Sequence, residues 1–520
     1  MSYPYKAGHA GVGCFAVDGR IALARAAVSR ACVIGAGFGG LALALRLQAA
    51  GIATTLVEAR DAPGGQAAQQ TIDAMHFELC PAPIDDVGGV QELWSLFGRD
   101  VAQDATLLPV APLWRLNWPD STQIDWTGDA AAMARAVARL APGDLAGYQQ
   151  FMAYAAEMRA VGAFGFGEKP HTGAGLFARA LPLLVRQQAW RSLDGKARAL
   201  VKSERLRQAL TFRVLLKGGN PLTVPALHAA TLRTEVERGG WWPQGGASAL
   251  ARAMAALFVA QGGELRLDEP VVRIDTLGNR ASAVVGASGW QAHFDVVASG
   301  ADVMHTYRDL LGQTLRGATM ARRLARGRWS PGLFGVHFAL EGKWPGIPHN
   351  TVLFGPRWDE WLGDVFGHGV LPHDMVIRLA HPTVTDATLA PGGRSLFSAF
   401  VPVANLGRLP IDWDAVGPVL HRRVLDEVGR RFVPDIHDRV VTAFHTTPRD
   451  TERALNAYMG SAAGLEPDLW QSIRLRPRHR DECFGNLYLV GAGTHPGAGF
   501  SAVLTGARAV AKLIEEDLKA

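Results

Sequence analysis

Residues 31–65 read ACVIGAGFGGLALALRLQAAGIATTLVEARDAPGG, and the order of features in that stretch decides the fold. The apolar run Ala31-Cys32-Val33-Ile34 has the length of one buried strand. Gly35-x-Gly37-x-x-Gly40 follows, with Phe38 and Gly39 inside it, and then a helix-forming run from Leu41 to Ala50. Gly51 closes that helix, Thr54 to Val57 predicts a second strand, and Glu58-Ala59 stands at its end. This is the order of a dinucleotide-binding βαβ unit. Gly35 permits the tight turn, Gly37 lets backbone approach a pyrophosphate, and Gly40 lets helix and strand pack closely. The helix N-terminus offers unpaired N–H groups and a positive dipole end to phosphates. Glu58, 18 residues beyond Gly40, is placed to accept hydrogen bonds from a ribose.

A glycine triplet alone is a weak signal, because glycine-rich turns are common; strand, glycines, helix, strand and acid in order form a much stronger one. Glu58 speaks against NADP, whose extra phosphate it would repel. Ala62-Pro63-Gly64-Gly65, followed by Gln66, supplies a second glycine pair, and Gly491-Ala492-Gly493-Thr494 a late glycine turn. Together they favour FAD over NAD. The expected cofactor contacts are Gly35, Gly37, Phe38, Gly39, Gly40, Glu58, Ala59, Gly64, Gly65, Gln66, Val271, Gly493, Thr494, Ala502 and Val503.

At 520 residues the chain is far too long for one such unit, and two domains are expected. Hydrophobic residues make up 48% and charged residues 19%, the balance of an ordered globular protein. Cys14, Cys32, Cys80 and Cys483 show neither disulfide nor metal-ligand spacing, which fits a reducing compartment. Residues 1–28 lack a signal-peptide layout and are expected to form a loose extension. The longest uncharged apolar run, Ala31 to Leu45, is only 15 residues, too short to span a bilayer, so a protein neither secreted nor transmembrane is expected.

The net charge of +5 is concentrated in one window. Leu176 to Lys217 holds ten Lys and Arg residues, opposed only by Asp194 and Glu204, interleaved with apolar residues such as Val185, Trp190 and Leu206. That mixture at helical spacing fits helices lying on an anionic membrane surface; solvated faces of ordinary core helices are the alternative. No recognition motif accompanies the charge, which argues against nucleic acid.

Along the chain, Phe77 to Pro83 is expected as a loop returning toward the cofactor, and Leu107 to Trp126 as a hairpin turning at Pro119-Asp120-Ser121. Ala131 to Ala160 predicts helix broken at Pro142-Gly143. Trp241 to Gly246 predicts a turn into a helix over Ala247 to Gln261, and Glu264 to Ile274, Ala281 to Val285 and Phe294 to Ser299 predict strands. Strands at Gly332 to Leu340 and Ser395 to Pro402 and a helix at Val416 to Phe432 follow. A strand at Asn486 to Val490 and a helix from Ser501 to Leu518 close the chain. The nucleotide-binding strands therefore resume after insertions. The division expected is residues 29–105, 235–310 and 477–520 for FAD binding, and 106–234 with 311–476 for a substrate domain that associates with membranes.

The βαβ unit together with LLPVAPLWRLNW (107–118), QAWRSL (188–193), VLLKGGNP (214–221), HTYRDLLG (305–312), FGPR (354–357), LNAYMGSAAGLEP (455–467) and GNLYLVGAGTHPGAG (485–499) closely resembles the bacterial phytoene desaturase family. The resemblance covers nearly the whole chain beyond residue 28. It implies an α/β fold like that of flavin amine oxidases and phytoene desaturases, a Rossmann-type FAD-binding domain with an inserted mixed α+β substrate domain. It further implies FAD-dependent introduction of double bonds into a long apolar isoprenoid or carotenoid precursor. A quinone or oxygen would take the electrons, and the enzyme would sit in the bacterial cytoplasm on the inner membrane. Three segments depart from the family pattern: Gln66 stands where arginine is usual, Phe77-Glu78-Leu79-Cys80-Pro81-Ala82 replaces Phe-Asp-Ala-Gly-Pro-Thr, and Gly499-Phe500-Ser501-Ala502-Val503 replaces Gly-Ile-Pro-Gly-Val.

Hydride loss from a polyene precursor leaves an allylic cation whose neighbouring C–H is acidic, so a weak base or water suffices. No nucleophilic triad or metal set is expected, and none is visible. Glu78 and Asp144 are the candidate catalytic acids, against the plainer readings of a capping acid and a helix N-cap. His305 and His495 fit structural roles, and Cys80 is either a small loop residue or a thiol facing the flavin. The N–H groups around Ser501-Ala502-Val503 suit the negative charge of a reduced flavin. Two other functions stay open: an oxidase of another isoprenoid or carotenoid intermediate, and a non-catalytic paralogue that binds carotenoid or a partner at the membrane.

Overall fold

Apolar runs of four or five residues with no polar alternation bury both faces, and they form the first sheet. The computed structural model describes residues 29–80, 84–163 and 181–519; the expected loose extension over 1–28 lies outside them. Five parallel strands run in the order Leu487–Leu489, Val296–Ser299, Arg30–Ile34, Ala53–Val57 and Glu264–Arg266. Ala31, Cys32 and Val33 are fully buried at its centre, as parallel strands covered on both faces require. The helix Phe38–Ala49 packs between Ala247–Ala260 and the last helix, Phe500–Lys519, through Leu41, Leu45, Met254, Val510 and Ile514.

A seven-stranded sheet forms the second layer, in the order Val440–Thr446, Gly332–Leu340, Ser395–Val403, Ile377–Ala380, Asn350–Leu353, Trp114–Asn117 and Gln123–Trp126. All its pairings are antiparallel except that of Asn350–Leu353 with Trp114–Asn117. One face, with Ile377, Leu379 and Val401, packs on the helix Trp413–Phe432. Register places Leu116, Val352, Arg378, Phe400, Gly335 and Thr446 in one row across the other face. Beyond the Trp114–Trp126 hairpin, helices from Ala130 to Arg238 enclose a tryptophan-rich core of Trp114, Trp118, Trp126, Trp358 and Trp361.

Several boundaries differ from expectation for identifiable reasons. Met75–Glu78 is a strand paired with Gln69–Ile72, not a loop, because Met75 and Phe77 alternate inward; Pro81 to Pro83 lie outside the described residues. Only Trp114–Asn117 and Gln123–Trp126 make the expected hairpin. Leu107–Val110 pairs instead with Gly240–Pro243, a strand where a turn was expected. Glu264 to Ile274 is two strands, broken where Asp268 takes φ 53° ahead of Pro270. Glu264–Arg266 joins the parallel sheet and Val271–Leu277 a separate antiparallel one.

The basic window changes character once folded. Arg186 pairs with Glu157, Arg198 with Asp194 and Asp359, Arg205 with Asp120, and the buried Arg213 with Glu235. Four of its ten basic residues are therefore answered by acids within the protein. Residues 176–180 lie outside the described residues.

Candidate active site

Three glycine turns meet at the carboxyl ends of the parallel strands. Gly35 sits at φ +93° and donates its N–H to Val57 O at 2.7 Å. A Cβ on Gly40 would lie 2.0 Å from Gly35 O, and one on Gly39 3.1 Å from Gly491 Cα. Gly37 forms a parallel bridge with Gly64, and a Cβ on Gly65 would lie 3.1 Å from Gly37 Cα. The contact at Gly40 permits no side chain and those at Gly39 and Gly65 leave little room for one, and the first helix turn is left facing a cavity. Glu58 is held at its rim: Oε2 accepts Ala36 N–H at 2.7 Å and Oε1 accepts Arg60 N–H at 3.1 Å. The carboxylate is thereby fixed before any ribose arrives.

The cavity, about 730 Å³, runs from these turns to the seven-stranded sheet, within the range of about 300–1,000 Å³ usual for ligand sites. Gly35, Gly37, Phe38, Gly39, Gly40, Glu58, Ala59, Gly64, Gly65, Gln66, Val271, Gly493 and Val503 all line it. Thr494 and Ala502 do not; Thr494 is fully buried and its Oγ1 donates to Gly491 O at 3.1 Å, shaping the late turn. Gln66, in place of arginine, spans from the glycine pair to Ala462 O at 2.7 Å. The far half is apolar, with Leu215, Leu333, Val352, Val376, Phe400 and Pro402. Phe500 lines the cavity and meets Phe38 edge-on, ring centroids 4.9 Å apart.

Neither of the two candidate catalytic acids lines the cavity. Asp144 is absent from the lining; its oxygens accept the N–H groups of Lys202 and Ser203 at 3.0 and 2.6 Å, tying two helices together. Glu78 is 1% exposed, also absent from the lining, and anchors the helix Ala247–Ala260 through Ser248 Oγ at 2.9 Å and Ser248 N–H at 3.3 Å. Burial pushes its carboxyl up to about 7 against those hydrogen bonds. Both acids are engaged in holding helices of the fold. Cys80 does line the cavity, and burial pushes its thiol up, so it is a neutral neighbour.

Sequence reasoning passed over Asp302 and Arg378 and gave His305 only a structural role; all three line the cavity. Asp302 caps a short helix after the third parallel strand, accepting Met304 N–H at 2.8 Å, and burial pushes it up to about 6. An acid two residues past Gly300 at a strand end was its only signal. His305 lines the cavity too, its Nδ1 2.7 Å from Asp309 Oδ2. Arg378 stands in the apolar row of the roof, 5.9 Å from the Phe400 ring centroid and 5.7 Å from that of Trp114, and burial draws its pKa down to about 10. Among the described residues no group of His, Cys, Asp and Glu could hold a metal ion.

Comparison with known proteins agrees with this geometry. Residues 38–514 match the flavin containing amine oxidoreductase family. A lycopene-forming phytoene desaturase from Paracoccus sp. is 43% identical over 95% of this chain and 98% of its own. One from Pantoea ananas is 40% identical over 94% and 99%. A neurosporene-forming phytoene desaturase from Rhodobacter capsulatus is 35% identical over 94% of each chain. Among solved structures, putrescine oxidase bound to putrescine superposes with a TM-score of 0.63 at 15% identity over 95% of this chain and 99% of that one. Cyclohexylamine oxidase from Brevibacterium oxydans gives 0.61 at 16% over 95% and 100%. The glycine cradle, the fixed Glu58 and the open first helix turn fit FAD. The chain belongs to the bacterial phytoene desaturases, FAD-dependent oxidoreductases of the flavin containing amine oxidoreductase family.

Proposed function

We infer that this chain desaturates an acyclic carotenoid precursor such as phytoene, in carotenoid biosynthesis. The observation that carries this is one continuous cavity whose glycine end suits FAD and whose other end is lined by Leu215, Leu333, Val352, Val376, Phe400 and Pro402. The turn Gly35–Gly40 and the adjoining helix N-terminus hold the pyrophosphate, Glu58 the adenosine ribose, and Gly64-Gly65 and Gly491-Gly493 the close approaches. FAD, when bound, supplies the hydride-accepting ring; a quinone or oxygen is the electron acceptor. The chain's own work is to orient the polyene between the last helix and the sheet, exclude water, and let one proton leave to a weak base or water.

Substrate entry from a membrane is part of this reading. Leu181, Val185 and Trp190 are 41%, 50% and 53% exposed, and Leu216, 41% exposed, also lines the cavity. Exposed apolar side chains in this region and an exposed cavity-lining leucine suit substrate entry from the inner membrane of a bacterial cell. With most of the window's arginines paired internally, the apolar side chains are the stronger anchors. No helix among the described residues is long and apolar enough to cross a membrane.

One experiment tests both statements, with FAD-loaded protein given phytoene in detergent and phytoene in liposomes. The parent should form longer polyenes from both. Val185→Ser with Trp190→Ser should keep detergent turnover and lose about a hundredfold on liposomes, because two large apolar anchors bury about 3 kcal/mol between them. No polyene from either preparation would favour the non-catalytic reading, and equal turnover by the variant in both would remove the membrane role.

A further inference from the structure

The last helix reaches the cavity with its N-terminal end. Gly499, Phe500 and Val503 all line it, and the helix runs 20 residues from Phe500 to Lys519. Such an end carries about half a unit of positive charge and suits an anion. One of its N–H groups is already engaged. Asp85 Oδ1 accepts Ser501 N–H at 3.1 Å, and Oδ2 accepts Ser501 Oγ–H at 3.0 Å, so both oxygens grip one residue 416 positions away in sequence.

Asp85 is held there from both sides. Ile84, which lines the cavity, exchanges two backbone hydrogen bonds with Trp241, each 3.0 Å. Asp86 turns the other way, where its Oδ1 accepts Gly89 N–H at 3.1 Å at the head of the helix Val87–Ser95 and pairs with Arg238 at 2.9 Å. Two adjacent acids thus bond the first turns of two different helices, and of the two only Asp85 bonds the first turn of the helix that reaches the cavity.

We propose that Asp85 is a positioning residue that, through Ser501, offsets the positive end of the last helix and so holds down the reduction potential of the bound flavin. This rests on the FAD reading above. Taking up two electrons and one proton adds one negative charge to the flavin ring. A helix end left uncompensated stabilises that charge; a carboxylate at its first turn opposes it. Electrons then pass more readily from reduced cofactor to the acceptor, at some expense in hydride uptake.

The test uses full-length, FAD-loaded protein titrated anaerobically against a reference dye, with xanthine and xanthine oxidase as the electron source. Asp85→Asn keeps the shape and removes the charge, and should raise the reduced-to-oxidised ratio at fixed ambient potential by about 10-fold to 100-fold, a rise of about 30 to 60 mV for a two-electron couple. Asp85→Glu, which keeps the charge, should stay within about threefold of the parent, about 15 mV. Asp86→Asn should do likewise, because that acid caps another helix. The N3–H of the bound flavin should also titrate at lower pH in Asp85→Asn than in the parent. Should Asp85→Asn purify without flavin, the shift is read in Ser501→Ala, which loses only the Oγ contact and should move in the same direction by less. An unchanged or lowered potential in the flavin-bearing variant overturns the inference, as does equal movement in Asp86→Asn. A parent chain that takes up no FAD instead overturns the functional reading beneath it.

Discussion

Gly40→Ala is expected to abolish FAD retention and to lower the melting temperature of the protein. The added Cβ would stand 2.0 Å from Gly35 O, 3.2 Å from Gly35 C and 3.5 Å from Val33 Cγ1. The first two are backbone, and they cannot step aside. Gly35 N–H is bonded to Val57 O and Gly300 N–H to Ile34 O, both at 2.7 Å, so moving the turn breaks the sheet at its central strand. Overpacking that side chains can absorb costs about 1–3 kcal/mol; a clash between backbone atoms lies at or beyond the upper end. Flavin per polypeptide after gel filtration should fall more than about tenfold, as two kcal/mol or more at the phosphate turn implies. Gly51→Ala is the control. It too has a positive φ, +79°, but its Cβ meets nothing within 4 Å, so it should lose about 1 kcal/mol and keep its flavin. Full flavin content in Gly40→Ala would show that the turn does not carry the pyrophosphate.

The second large effect is a break in stability with pH. His337, His349 and His381 are at most 3% exposed, and burial draws them from 6.5 down to about 3, about 3 and about 4. His337 stacks on Phe444 and shares Nδ1 with Ser398 Oγ at 2.9 Å. His381 donates Nδ1–H to Ile347 O and stacks on Phe397 at 4.2 Å, while its buried Nε2 has no partner for a second proton. Burial pushes Glu78 and Glu466 the other way, from 4.5 up to about 7. Burial draws His228 and His495 down as well, to about 3 and about 4, and pushes Asp302 up to about 6. Just below pH 6.5 the unfolded chain binds five histidine protons that the native chain refuses, against two glutamate protons that only the native chain binds. Asp302 adds a third native proton below 6, so from 6 to 4.5 the difference is two protons and stability falls by about 3 kcal/mol per unit as pH drops. Between 4.5 and 4 the glutamates cancel and four protons remain, which is about 5 kcal/mol per unit. From 6.5 to 7 the glutamates alone act and stability falls as pH rises, placing the maximum near 6.5. Urea unfolding across pH should show the bend near 4.5, and His337→Gln should remove about a quarter of the slope just beneath it. Constant stability from pH 6.5 to 4 would contradict the neutral histidine core.

What could be read in the sequence was local. The turn Gly35–Gly40, its flanking strands and Glu58 lie within 30 residues and carry their geometry in residue type, and nearly all the expected cofactor contacts line the cavity. The long strands Gly332–Leu340 and Ser395–Val403 were legible for the same reason. Partnership was not. Alternation marks Leu107–Val110 as extended but does not say that it pairs with Gly240–Pro243 rather than with its neighbour. Arg378 becomes part of the roof only because strand register sets it beside Val352 and Phe400. Asp85 gains meaning only from Ser501, near the other end of the chain. Glu78 was drawn toward the cofactor by the loop expected over Phe77 to Pro83; its strand turns it instead onto Ser248. The charge of residues 176–217 could not be weighed from that window alone, because acids that pair with part of it, Glu157, Asp120 and Asp359 among them, lie outside it.

The most direct test of desaturation by this chain is anaerobic mixing of the FAD-loaded protein with phytoene and its partly desaturated successors, followed by absorbance. The account predicts that the visible band of oxidised flavin bleaches as a polyene one double bond longer appears, one flavin reduced for each bond formed. A flavin band unchanged by phytoene and by every successor, in protein carrying its full complement of FAD, would contradict it.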